Sequence, residues 1–269
     1  MEAPAKHGET SSSASMKRYF VQKIPSVSER VSVPPELAEG TRHLLCEQAW
    51  SAADVLTDFS FPWENRIAPQ TEFRALWDET HFHFRFDCQD DDLVLPDGAT
   101  AKDRALGSDR VEIFFAPDLS LKPYYCLEMS PKADVLAYEA NFYREINWDW
   151  QCEGLQIDAH IDNDHYTLSG SIPLETLRSL NVLKPGSREF FAGIYRAEFH
   201  HKPDRTVHSG WMPWVNPNTE RPDFHVPASF GMLDLLSATH EGTAHEGELG
   251  DAVTTAVRGL NFSPARRAV

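Results

Sequence analysis

The 269-residue sequence predicts an all-β protein, an antiparallel β-sandwich of jelly-roll or immunoglobulin-like type carrying one or two short helices. Three observations carry this. Apolar residues recur at every second position in several separate runs, turn residues punctuate those runs, and helical spacing is nearly absent.

The elements follow in chain order. Residues 1–16 are polar and Ser-rich and read as a tail, with the sandwich over 17–236. Ala49 to Val55 is a short helix candidate with Ser51 as its cap. Phe82, Phe84, Phe86 and Cys88 share one strand face, with His83, Arg85 and Asp87 on the other. Val111, Ile113 and Phe115 alternate with Glu112 and Phe114, and Tyr125, Leu127 and Met129 with Tyr124, Cys126 and Glu128. The segment from Tyr138 to Gly154 reads as a long connection or hairpin, with Tyr143, Trp148 and Trp150 beside charges. Alternation resumes over 155–161 and again over 191–199. Between these two runs, Leu174, Leu177 and Leu180 at helical spacing give one or two helical turns. Asp78-Glu79-Thr80, Pro96-Asp97-Gly98, Asp162-Asn163-Asp164 and Pro185-Gly186 supply turns. Gly210 to Pro227 holds so many prolines that it reads as a loop. Residues 237–269 form a second tail with a weak helical pattern from Ala252 to Leu260.

Composition limits the partners. Lys and Arg number 25 against 41 Asp and Glu, a net charge of −16, with no basic cluster to neutralise phosphates. Nucleic acid and anionic membrane surfaces are therefore disfavoured, and no apolar run is long enough to span a bilayer. The chain as given shows no signal-peptide pattern, so the expectation is a cytoplasmic protein or one already processed. Cys46, Cys88, Cys126 and Cys152 lack CxxC spacing; Cys88 and Cys126 fall in strands and are expected to pack as small apolar side chains.

Three groups of residues bear on chemistry. Asp90, Asp91 and Asp92 end a strand; such a run either keeps an edge soluble or offers oxygen ligands to calcium. Trp211 and Trp214, flanked by Asn216, Asp223 and His225, offer flat apolar faces and polar partners for a sugar ring, although a Trp also serves to cap a core. Glu112 and Glu128 occupy the non-core register of two strands. As neighbours they would lie about 5–10 Å apart, the range of glycoside hydrolysis, but a solvated pair neutralised by Arg196 or Arg144 is the ordinary outcome. The twelve histidines show no metal-ligand spacing, and His200, His201 and His208 read as loop residues. No nucleophile elbow and no phosphate-binding loop occur, and no organic cofactor is expected.

Five segments in order carry a resemblance: Ala75 to Phe86, Ser108 to Phe115, Ser171 to Leu174, Trp214 to Pro217 and Ser229 to Leu233. Together they resemble the carbohydrate-binding module family 9-like domain over about Glu47 to Leu235. The resemblance implies a sandwich that binds oligo- or polysaccharide ends in proteins of glycan breakdown, secreted or periplasmic, with structural calcium in some members. In xylanase-associated members, two Trp rings hold the sugar and a Glu on a VEIF strand contacts it. Trp214 stands at one ring and Glu112 at that Glu. The second ring is missing, since Arg104 to Gly107 holds no aromatic, which leaves Tyr125, Tyr143 or Trp148 to supply it.

The resulting expectation is a non-enzymatic carbohydrate binder using Trp214, Trp211, Glu112, Glu128, Arg196 and Asn216. Two rivals stand beside it: a glycoside hydrolase using Glu112 and Glu128, and a b-type haem protein using Met129 or Met212.

Overall fold

The computed structural model describes residues 16–25 and 44–237. The expected tail residues 1–15 and 238–269, including the Ala252–Leu260 helical pattern, lie outside the described residues. Twelve strands are present among the described residues: β1 (Arg18–Lys23), β2 (Thr71–Trp77), β3 (His81–Gln89), β4 (Arg110–Ala116), β5 (Tyr124–Met129), β6 (Val135–Asn141), β7 (Glu145–Asn147), β8 (Gln156–Asp162), β9 (His165–Pro173), β10 (Glu189–His201), β11 (Val207–Pro213) and β12 (Gly231–Leu235). Two short helices, α1 (Ala101–Leu106) and α2 (Leu174–Ser179), complete the frame with 3₁₀ turns at Glu47–Ala52 and Pro227–Ser229.

The strands form two layers joined at β1. Residues Arg18–Val21 pair with β12, whereas Gln22 and Lys23 pair with β2, so one strand passes from the larger sheet to the smaller. The path runs β7-β6-β5-β4-β10-β12-β1-β2-β3-β9-β8, with β11 on β10. Both pairings of β1 are parallel, so the sheet is mixed where the sequence predicts antiparallel pairing throughout. All other strand pairings are antiparallel.

Alternation decides which side chains meet. Phe82, Phe84 and Phe86 from the smaller sheet face Val111, Ile113 and Phe115 from the larger, and all are buried. Phe82 meets Phe115 and Phe190 edge-on at 6.3 and 5.7 Å between centroids, a favoured aromatic geometry. Cys88 and Cys126 are buried as expected, and the four cysteines are free thiols. Met129 and Met212 are wholly buried in this inter-sheet core.

The opposite face of the larger sheet is also covered. Phe114, Tyr124, Cys126, Tyr138 and Tyr195 form a second apolar cluster beneath Phe224 and Phe230 from the loop before β12, with Ala105 of α1. This second cover explains why every residue of β4 and β5 is buried. The Tyr138–Gly154 region contains the expected hairpin, β6 to β7. Two expectations fail locally. The first helix candidate is a 3₁₀ turn in which the Ser51 hydroxyl donates back to the Gln48 carbonyl rather than capping. The first part of the Pro-rich segment is strand β11, because Pro213 comes only at its last position, where a missing N–H is tolerated.

Candidate functional site

The candidate site lies on the outer face of the larger sheet, where the apolar cover gives way to charge. Strict alternation on β4 sends Arg110, Glu112 and Phe114 outward. Glu112 is directly opposite Glu128 on β5. Like charges in that register repel, and a single side chain answers both: Arg110 Nε lies 2.9 Å from Glu112 Oε1 and 2.7 Å from Glu128 Oε2. Neither oxygen lies along the N–H, so these three buried atoms make no hydrogen bond. The Tyr138 hydroxyl of β6 donates to Glu128 Oε1 at 2.7 Å. Arg110 Nη1 also faces the carbonyls of Ala105, Leu106 and Ser108 at 3.4 Å, which ties the floor to the end of α1.

Burial and the charge of Glu128 push the Glu112 carboxyl up to about 8 against the pull of Arg110. A carboxyl of that kind keeps its proton at neutral pH. The sequence placed these glutamates on a solvated face; instead they are 2% and 5% exposed, because α1 and the loop before β12 close over the sheet.

Above this floor, Trp211, Phe224 and His225 together with Ile146, Trp148 and Leu106 line a cavity of about 450 Å³. That volume lies within the range of small-ligand sites, roughly 300–1,000 Å³. Phe224 stacks flat on Tyr195 at 4.1 Å and meets Trp211 edge-on at 5.8 Å. His225 Nδ1 is 2.7 Å from the Tyr124 hydroxyl; burial, helped by Arg144, holds its ring down to about 3, so it is a neutral imidazole. Trp148 packs 5.0 Å from Tyr138 and carries the Lys102 ammonium 3.3 Å from its ring centroid. At the rim, burial pushes Asp223 up, but hydrogen bonds from Tyr143, the His225 N–H and Arg144 outweigh it and hold the carboxyl low.

The structure thus brings together Glu112, Glu128 and Trp211 of the expected set with Trp148, one of the three candidates for a second aromatic face; Tyr125 and Tyr143 do not line the cavity. Three expected residues lie elsewhere. Trp214 is 3% exposed and belongs to the inter-sheet core. Its N–H bonds to the Ile194 carbonyl, extending the β11 ladder, and Met212 and Trp214 share the inward face of that ladder. The ring lies so close to Gly231 that a Cβ there would meet it at 2.6 Å. Arg196 is wholly buried on the core face of β10, where it donates to Thr71, the Gln89 carbonyl and Asp90 of the smaller sheet. Asn216 is exposed and accepts from the Asn218 N–H within a turn, away from the cavity.

Asp90, Asp91 and Asp92 do not form one ligand set. Asp90 pairs with Arg196, Asp92 accepts from the His201 N–H and contacts its ring, and Asp91 is exposed. No three His, Cys, Asp or Glu among the described residues converge to hold a metal ion. A larger cleft of about 590 Å³ on the smaller sheet is lined by Arg74, Arg85, Glu72, Asp87 and Glu47. Those charges pair with one another at 2.6–2.8 Å, so they offer a ligand little.

Arg110 and Tyr138 enter the site without being expected from the sequence, whereas His225 and Asp223 are among the expected polar residues flanking the Trp-bearing segment. Arg110 was visible in principle, since it stands two residues before Glu112 and hence on the same strand face.

With this geometry in place, residues 45–238 match the model of the family described as carbohydrate family 9 binding domain-like. The chain belongs to that family. A solved structure of a provisionally assigned carbohydrate-binding protein from Bacteroides uniformis aligns with a TM-score of 0.60 and 16% identity, over 82% of this chain and 100% of that one. A carbohydrate binding module of family 9 from Caldicellulosiruptor kristjanssonii, in complex with glucose, aligns at 0.49 and 13%, over 85% and 100%. The same module with cellotriose aligns at 0.49 and 13%, over 85% and 98%. No functionally curated protein matches the chain. Among the described residues, no helix is long and apolar enough to cross a membrane.

Proposed function

We propose that the cavity lined by Trp148 and Trp211 binds one residue of an oligo- or polysaccharide without cleaving it. One observation carries the reading: a charged floor, Arg110 with Glu112 and Glu128, lies at the base of an aromatic-walled cavity sized for a small ligand. The indoles supply apolar surface for the C–H faces of a pyranose, and the floor supplies donors and acceptors for its hydroxyls. Membership of a carbohydrate-binding family supports the same reading.

Hydrolysis is the weaker use of these carboxylates. Glycosidases set an acid and a second carboxylate on either side of the scissile bond. Here both reach for one nitrogen and approach a ligand from the same side. Calorimetric titration with hexoses and short oligosaccharides tests the proposal. Trp211→Ala and Trp148→Ala should each weaken binding at least about tenfold, the equivalent of ~1.4 kcal/mol. Unchanged affinity in both variants would remove the cavity from consideration, and sugar released by the wild type would restore the hydrolase.

A further inference from the structure

We propose that this cavity selects an amino sugar, a pyranose bearing a cationic amine, over neutral and acidic sugars; the inference rests on the binding role proposed above. Arg144 is paired at the rim with Asp223, which leaves Arg110 alone between Glu112 and Glu128. The floor therefore has one carboxyl more than it has cations.

The surroundings of Glu112 offer no second cation at the floor. Arg110 is on its own strand, Glu128 and Cys126 are on β5, Tyr138 is on β6, Tyr195 is opposite on β10, and Arg144 stands on the β6–β7 hairpin, engaged by Asp223. Nearby His225 is neutral. The surplus carboxyl is accommodated by a proton, which burial and Glu128 hold on Glu112 up to about pH 8.

An ammonium group does what that proton does and more. It brings a full positive charge and three N–H donors to a floor where two carboxyl groups share a single guanidinium nitrogen. On binding, the Glu112 proton leaves to the buffer and the ligand's ammonium takes its place, so charge on the floor is conserved. A neutral hexose leaves the proton where it is. A uronic acid sets a third carboxylate against the two present. The aromatic wall is compatible with such a ligand, since the Lys102 ammonium already rests on the Trp148 ring, 3.3 Å from its centroid.

The test is isothermal titration of the full chain at pH 7 with D-glucosamine, N-acetyl-D-glucosamine, D-glucose and D-glucuronate, each in phosphate and in Tris. The expected result is glucosamine binding at least about tenfold tighter than glucose, the ratio a charge-assisted hydrogen bond commands. Binding should also be accompanied by net proton release, read as a buffer-dependent enthalpy. N-acetylglucosamine should behave as glucose does, and glucuronate should bind weakest. Glu112→Gln should erase the preference, so that glucosamine and glucose bind this variant with equal affinity and without proton release. Equal affinity of the wild type for glucose and glucosamine, or an enthalpy independent of buffer, overturns the inference while leaving sugar binding intact. If none of the four sugars binds the folded wild type, the binding role itself falls. The wild-type measurements decide the matter even if the variant fails to fold.

Discussion

Arg110 and Arg196 each sit buried beside two carboxylates, on opposite faces of the same sheet. Arg196 contacts Asp90 at 2.9 Å with Asp109 close by, and the backbone saturates those acids. Asp109 accepts the N–H groups of Val94 and Phe199, and Asp90 accepts that of Asp92. Arg196 in turn donates to Thr71 and to the Gln89 carbonyl, leaving only its Nε unused. Around Arg110 the acids have no backbone donors of this kind, and one oxygen of each stays without a hydrogen bond beside a cavity. The difference teaches how to separate a tie from a site. A buried ion cluster saturated by main chain holds the sheets together, and one left open to a cavity has capacity for a ligand.

The largest break in this comparison should come from Arg196→Met. Removing the cation leaves Asp90 and Asp109 buried without their partner, which costs about 3–5 kcal/mol when one member of such a group is lost. Arg110→Met should cost less, about 1–3 kcal/mol, because the cavity admits water to the glutamates. Urea unfolding measures both. Equal losses would mean that the Arg110 cluster is a structural tie as well.

The next contrast is between amide replacements. Asp109→Asn replaces one of two accepting oxygens with an NH₂ that faces a backbone N–H, and should destabilise by about 2 kcal/mol. Glu112→Gln resembles the protonated acid that the floor already holds and should cost less than about 1 kcal/mol. Reversal of that order would contradict the main-chain saturation of Asp109.

A smaller effect appears with pH. In the folded protein Asp109 and Glu112 both hold their protons to about 8, in each case mainly through burial and then a neighbouring carboxylate. Unfolded, such groups release them near 4. Between those limits the folded state binds more protons, so stability is fully present at the acid end and declines as pH rises toward 8. His225 acts in the opposite sense: its imidazole is held down to about 3, so its contribution is present above about 6.5 and is lost as pH falls. Thermal melts from pH 5 to 9 should show the alkaline decline, shallower in Glu112→Gln. A variant slope identical to that of the wild type would deny Glu112 its proton.

Much of the frame was legible because alternation is a local signal. The runs around Phe82, Val111 and Tyr125 each placed the correct face inward. The error over Trp214 came from suspending that rule. Proline makes the segment read as a loop, and on that reading Trp214 is the favoured stacking ring ahead of Trp211. Counted by twos along β11, Trp214 falls in register with Met212 and Trp211 on the other face. The sequence put Glu112 and Glu128 on the same kind of strand face and left their adjacency open; their burial depends on a second apolar layer contributed by α1 and residues 222–230, far away in sequence. No window of sequence contains that information. The same holds for Arg196, whose partners come from β2 and the end of β3.

The smallest expected effect concerns Asn216, which sequence alone ranked beside the tryptophans. Its side chain accepts one N–H from Asn218 in an exposed turn and does not line the cavity. Asn216→Ala removes a solvent-accessible hydrogen bond, so stability should shift by no more than about 0.5 kcal/mol. Affinity for any sugar that Trp211→Ala weakens should remain at the wild-type value. A clear loss in Asn216→Ala would place the ligand on the lip formed by residues 214–218 and move the site away from Arg110. That outcome would return Arg110 to the same category as Arg196, a buried cation whose work is to hold the fold together.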